Sequence, residues 1–376
     1  MRTLCSRPFA VASLAIGALT LSALQTQGHD FTQTNLVSNI DGLATITDPD
    51  LKNPWGVSHS DTSPFWVSNQ GTSTSTLYAV TDKTTVTKVN VNPAGFVAIP
   101  TTEPPAPQGP TGQVNNTNPD SFPVAHDDGT DGTFARFIFA NLNGTISAWD
   151  GLPAGNALTA FVQNSGADGT VYTGLAINRA QTLLYAANNS LGRIDVFDSN
   201  FAALDLGEGA FVDPSLPAGL VPFNVRDIDG FVYVVYAPAG RPAQQMADLG
   251  AGAVAVFEED GTFINEVVVG SRLAAPWGIT FAPPSFGRFA FHLLVGNFSF
   301  LHSEINAFDP TTGELRGTIP IDTGDQQAGG LWAIDFGVGG SNGSPDVLYF
   351  TDGINGEADG LFGAIAVAAD GAIAAR

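Results

Sequence analysis

A single cysteine, Cys5, stands in the 376-residue sequence, and only 14 residues are lysine or arginine. Cys5 lies in a leader-like segment, so the chain beyond it has no disulfide, no thiol nucleophile and no thiolate metal site. The lysines are Lys52, Lys83 and Lys88, and the net charge is -22. Nucleic acid and anionic membrane surfaces repel such a chain at long range, which excludes basic-patch functions. Charged residues make up 13% of the chain, too few for an acidic disordered protein. No apolar run reaches the roughly 20 residues that a membrane span requires, so stable membrane insertion is not expected. Dinucleotide-binding, P-loop and H-E-x-x-H patterns are also missing.

What the sequence has in excess is glycine, 43 residues, and proline, 24, together with 26 phenylalanines in a chain that is 44% hydrophobic. Long helices are incompatible with that punctuation, whereas short strands joined by turns suit it. Arg2 and Arg7 precede an apolar stretch at 9–24 and then a polar run, the order of regions in a secretory signal peptide. We expect a leader over residues 1–28, a single domain over 29–376, a monomer, and a secreted or periplasmic location.

Six repeats follow. An apolar run ending in a polar residue recurs as Phe65-Trp-Val-Ser-Asn69, Phe137-Ile-Phe-Ala-Asn141, Leu184-Tyr-Ala-Ala-Asn188, Val232-Tyr-Val-Val-Tyr236, Leu293-Leu-Val-Gly-Asn297 and Leu348-Tyr-Phe-Thr-Asp352. Each is followed by a turn and a second run such as Ile194-Asp-Val-Phe-Asp198. Each is preceded by a third element: Trp55-Gly-Val-Ser, Phe122-Pro-Val-Ala, Gly174-Leu-Ala-Ile, Phe223-Asn-Val-Arg, Trp277-Gly-Ile-Thr and Trp332-Ala-Ile-Asp. Units of about 50 to 70 residues, each with short β-branched and aromatic runs, predict an all-β fold, a six-bladed β-propeller. A β-sandwich is the alternative, but it gives no reason for six equivalent copies. The last repeat lacks an outer strand, and the unassigned run at 31–40 is expected to complete the sixth blade. The insertions at 97–119 and 237–252 are expected as surface loops.

The repeat-end residues Asn69, Asn141, Asn188, Tyr236, Asn297 and Asp352 should ring one mouth of the channel. Oxygen donors from Asn141, Asn188, Asn297 and Asp352 suit Ca²⁺ or another divalent cation. The structural alternative is that Asn and Asp end strands because they tolerate turn geometry. Trp55, Trp277 and Trp332 open innermost strands, and beside Lys52, Asn53, Gln326 and Gln327 they describe either a ligand pocket or packing between blades. Asn69 and Tyr236 complete that ligand-binding set. His302 follows Asn297 on the ring face and is the candidate general base, with an ordinary loop histidine as the alternative. His59 and His126 are expected on the opposite face, in surface or core roles. Glu357 and Asp359 are carboxylates of the ring face. Gly339-Gly-Ser341-Asn-Gly343 matches G-x-S-x-G but lacks the following helix, and the acidic turn at 127–132 departs from a calcium loop at its third and twelfth positions.

Together, Asn53-Pro-Trp-Gly-Val57, Ala275-Pro-Trp-Gly-Ile279, Gly330-Leu-Trp332-Ala-Ile and Leu348-Tyr-Phe-Thr-Asp352 followed by Gly360-Leu-Phe-Gly363 resemble a family of secreted bacterial six-bladed propellers. That family is of uncharacterised function and related in shape to NHL-repeat proteins. The resemblance covers about 31–370 and implies a propeller and export; Asp359 stands where members often have His. A wider likeness to calcium-dependent gluconolactonase-type propellers is one of architecture, and Asn53 stands where those enzymes would have a Glu. The functional expectation is a propeller that binds a small molecule, a glycan or a divalent cation at the channel mouth. Its activity would be that of a lactonase-like hydrolase or a lyase. The alternative is a non-catalytic extracellular binding or scaffold module for a glycan or protein.

Overall fold

The computed structural model describes residues 30–100, 108–126, 132–152, the backbone of 160–164, and 169–368. The expected leader at 1–28 and the acidic turn at 127–131 lie outside the described residues. Each blade is a meander whose innermost strand faces the axis: Pro54–Ser58, Pro110–Asn115, Tyr172–Ile177, Leu220–Ile228, Pro276–Phe281 and Leu331–Phe336 for blades one to six. These six strands contact one another in cyclic order, and that of blade six meets that of blade one. The sixth blade is completed by Phe31–Ser38, which pairs antiparallel with Leu361–Val367, as the unassigned N-terminal run implied. The ring is therefore closed by the two ends of the domain, and the N-terminal strand covers the edge that Leu361–Val367 would otherwise present.

Turn chemistry fixes the meanders. In blade four Ile228 pairs with Phe231 across Asp229 and Gly230, whose φ values of 56° and 86° put both in the left-handed region, as a two-residue hairpin that follows the right-handed strand twist requires. Every innermost strand also carries a bulge near its start, as between Pro54 and Val57 or between Pro276 and Gly278. The bulges let neighbouring main chains approach closely around the axis. A Cβ on Gly112 would overlap the Leu175 amide, and one on Gly174 would overlap the Asn224 side chain.

Two expectations are corrected. The innermost strand of blade two is Pro110–Asn115, inside the stretch read as an insertion, and not the run that begins at Phe122. Its polar residues hid it from a hydrophobic reading. Thr111 Oγ1 donates to the Ala140 and Tyr172 carbonyls at 3.1 and 3.0 Å, and Gln113 Nε2 donates to those of Gly56 and Trp66 at 2.8 Å each, so both side chains are buried yet bonded. His126 consequently does not end an innermost strand; it pairs with Asp150 at 3.0 Å. The segment at 237–252 is also more than a loop. It carries the short helix Arg241–Gln245, whose side chains reach over one mouth of the channel.

Candidate functional site

The channel has two dissimilar ends. We call the end where innermost strands begin proximal and the other distal. At the proximal end the ring of repeat-end residues forms as expected: Asn69 lies opposite Pro54, Asn141 opposite Pro110, Asn188 opposite Tyr172, Tyr236 opposite Pro222, Asn297 opposite Pro276 and Asp352 opposite Leu331. The side chains, however, serve their own surroundings. Asn69 Nδ2 donates to Thr74 and Thr76, Asn141 Nδ2 to Thr145 and Ser147, Asn188 Nδ2 to Thr170 and Asp195, and Asn297 Nδ2 to the Arg272 carbonyl. The acceptor oxygen of Asn188 takes the Ser190 hydroxyl and that of Asn297 takes the Ala274 amide. Two of the four expected metal donors are thus engaged, whereas Asn141 Oδ1 and Asp352 Oδ1, with Asn69 Oδ1 of the same ring, are buried without a partner among the described residues. Among the described residues no group of three or more His, Cys, Asp or Glu side chains is placed to hold one. Asp352 is fully buried with only Ser303 Oγ against it, at 3.5 Å, and burial pushes its carboxyl up to about 7. His302 Nε2 lies 2.8 Å from Asp248 Oδ1 in an exposed pair, and no hydrogen bond joins it to the other residues nominated with it.

The tryptophans close this end. Trp55 and Trp332 stack with ring centroids 3.4 Å apart, and Trp277 meets them edge-on at 6.2 and 5.6 Å. Phe298 continues the stack on Trp332 at 4.3 Å. Above them lies the Arg241 guanidinium, 5.2 Å from the Trp55 and Trp332 centroids and 4.5 Å from that of Phe298. Glu357 holds it in place by an ion pair, and also accepts from Gln245 Nε2 at 2.9 Å and Asn53 Nδ2 at 3.1 Å. Asn53 in turn accepts the Trp332 indole N–H at 3.0 Å. Gln326 and Gln327 bond Asn355 in the neighbouring loop, and Asp359 receives Asn39 and Asn355. The aromatic residues therefore form a plug, and the polar residues around it form a cap that ties blades one, four and six together.

Beneath the plug the channel opens into a cavity of about 680 Å³, walled by all six innermost strands and floored by Trp277. Its walls are mixed, with Val57, Leu175, Val225 and Ile279 beside the polar Gln113 and Asn224. Polar groups gather at its distal mouth. Arg226 projects from blade four and donates Nη1 to the Ile279 and Ile334 carbonyls at 3.0 and 3.1 Å, and Nη2 to Asp335 Oδ1 at 2.6 Å. The second carboxylate oxygen of Asp335 lies 3.8 Å from His59 Nε2, while His59 Nδ1 lies 3.2 Å from the Ser60 carbonyl. That carbonyl can only accept, so the Nδ1 contact is a donation from the ring. Asp61 and Asp227 stand at the same rim, and burial pushes the Asp227 carboxyl up to about 6.

Sequence reasoning placed His59 on this face but gave it no function, and it missed Arg226 and Asp335. The signal was present in Phe223-Asn-Val-Arg226. An innermost strand that carries Asn and Arg at alternate positions presents both to the axis, and the equivalent of Arg226 in blade six is Asp335, the residue that pairs with it.

Comparison with known proteins agrees with the fold. No protein-family model matches the chain. Two uncharacterised proteins of Acanthamoeba polyphaga mimivirus do: one is 33% identical over 284 residues, covering 73% of this chain and 66% of the relative. The other is 30% identical over 301 residues, covering 77% of this chain and 74% of the relative. Among solved structures, a protein of unknown function from Bacteroides thetaiotaomicron superposes with a TM-score of 0.52 at 13% identity, over 89% of this chain and 76% of that one, which is a likeness of fold alone. The chain spans about two thirds to three quarters of its viral relatives, and their names state no activity. By that identity and coverage the chain belongs to the family of these uncharacterised mimivirus proteins.

Proposed function

We propose that this propeller binds a small molecule in the channel cavity and admits it from the distal mouth. The observation that carries the reading is the juxtaposition of a 680 Å³ cavity of mixed apolar and polar lining with the Arg226, Asp335 and His59 side chains at its rim. Small-molecule sites are commonly clefts of roughly 300–1,000 Å³ with a few convergent polar groups. The charges at the rim select the ligand. Arg226 is neutralised by Asp335 and keeps further N–H donors beyond its two carbonyls, whereas Asp61 and Asp227 add negative charge, on a chain of net charge -22. Anions are disfavoured, and a neutral molecule with an apolar body and hydroxyl groups, such as a polyol, the end of a glycan, or a neutral ester or lactone, is favoured. A thermal-shift screen of neutral saccharides, lactones and esters tests this. Ligands that stabilise the wild type and fail to stabilise Arg226→Gln support the reading, and stabilisation that is unchanged by the substitution counts against it.

A hydrolase or lyase reading is favoured by one further feature, the His59 imidazole at the rim, held through Nδ1 on the Ser60 carbonyl with Asp335 beside its Nε2. His59, not the surface-paired His302, is then the base to test. Loss of turnover in His59→Gln with ligand binding retained supports catalysis; binding without turnover in the wild type leaves a non-catalytic binding module. The secreted or periplasmic location belongs to this proposal and rests on the leader-like segment at 1–28. Among the described residues no helix is long and apolar enough to cross a membrane.

A further inference from the structure

Blade four departs from the repeat pattern at Tyr236, where the other five blades have Asn or Asp. The Tyr236 side chain is 1% exposed, and its hydroxyl has no hydrogen-bond partner among the described residues. Asp213 and Glu266 are the charged groups that act on it. Asp213 comes from the loop before the innermost strand of this blade and is 7% exposed. Its Oδ1 accepts the Ser215 amide and hydroxyl, each at 2.9 Å, while its Oδ2 is buried without a partner. Glu266 comes from the outermost strand, Phe263–Val269, and its side chain lies against both Asp213 and Ser215. Its Oε1 is likewise buried and unpartnered. Neither carboxylate forms an ion pair with Lys, Arg or His among the described residues.

Two carboxylates in contact repel, here with Asp213 buried and Glu266 half-buried, and that repulsion is relieved either by a shared proton or by a cation between them. The unpartnered groups here are all oxygens: Asp213 Oδ2, Glu266 Oε1 and Tyr236 Oη. Hard cations take this kind of donor set, and softer metals that prefer imidazole or thiolate do not. We propose that Asp213 and Glu266, with the Tyr236 hydroxyl closing a third side, bind a calcium ion that staples the loop before blade four to that blade's outermost strand. The site is separate from the channel cavity. With only two carboxylates, its affinity falls in the weak range of calcium modules, a Kd of roughly 10⁻⁴–10⁻³ M.

Calcium titration of the full chain, followed by calorimetry and by thermal unfolding in calcium against chelator, tests the assignment. Binding only the folded state raises the melting temperature with calcium concentration. The expected result is a calcium-dependent rise in the wild type that disappears in Glu266→Gln and in Asp213→Asn, with Tyr236→Phe weakening it several-fold. In chelator the Glu266→Gln variant melts at or above the wild type, because the unpaired repulsion is gone; this arm also shows that the variant folds. A wild type with no binding heat and the same melting temperature in calcium and chelator overturns the proposal in favour of a shared proton. A calcium-dependent rise that persists in Glu266→Gln overturns it in favour of a different site.

Discussion

The indole N–H of Trp277 donates to the Thr173 carbonyl at 2.8 Å, a bond from blade five to blade three that passes blade four. Between them Asn224 donates its amide to the Trp277 carbonyl at 2.9 Å. Three innermost strands are thereby tied through one residue, whose indole is also the floor of the cavity. Trp277→Phe keeps the ring and removes the donor, leaving a buried carbonyl unpaired; we expect a loss of about 1–2 kcal/mol in urea unfolding. Trp277→Ala also opens the plug, and we expect about 3–5 kcal/mol. Equal effects for the two variants would mean that packing contributes nothing, against the stacked geometry seen here.

The closure of the ring rests on a second polar contact. Asp48, 1% exposed in the loop after the N-terminal strand, accepts the Tyr78 hydroxyl at 2.7 Å and the Lys88 ammonium at 2.9 Å, both from blade one. Burial, then the nearby Asp48 charge, raises the Tyr78 pKa well above its usual value, so the phenol stays a donor. Asp48→Ala strands that hydroxyl and is expected to cost about 2–3 kcal/mol, read by chemical denaturation. Tyr78→Phe removes donor and demand together and is expected to cost less than half as much.

Asp352 gives a pH signature. Its carboxyl is raised to about 7 in the folded protein, chiefly by burial and only partly offset by Ser303, against about 3.9 in an unfolded chain. Between those values the folded state holds the extra proton, so this group's contribution to stability falls as pH rises from about 4 to about 7, by up to about 4 kcal/mol. Asp352→Asn, an uncharged isostere, should flatten that part of the stability profile measured by urea unfolding at a series of pH values. An unchanged slope would show that another group is responsible.

The repeat logic was readable because it depends on local pattern. The runs ending at Asn69, Asn141, Asn188 and Asn297 are the second strands of their blades, and the run at 31–40 pairs where a missing strand demanded one. Pro110–Asn115 was unreadable because its burial depends on carbonyls of Gly56, Trp66, Ala140 and Tyr172, supplied by distant parts of the chain. The asparagine ring was placed at the correct end of the channel, but the Asn69 and Asn141 amide groups are oriented by hydroxyls a few residues on, Thr74 and Thr145, which take their N–H and leave their oxygens buried without a partner among the described residues. The Arg226 and Asp335 pair joins residues more than a hundred positions apart, and no local spacing announces it.

Which mouth the ligand uses is the central claim, and one comparison decides it. The chain beyond the leader has no cysteine, so a single introduced thiol can be labelled with a bulky maleimide. Asp61→Cys places the label at the distal rim, and Leu301→Cys, at a residue 51% exposed, places it on the proximal loop of blade five. Calorimetric titration of the two labelled proteins with the strongest ligand from the screen should show binding lost at the distal label and unchanged at the proximal one. Binding lost at Leu301→Cys and retained at Asp61→Cys would contradict the account and return the site to the asparagine ring.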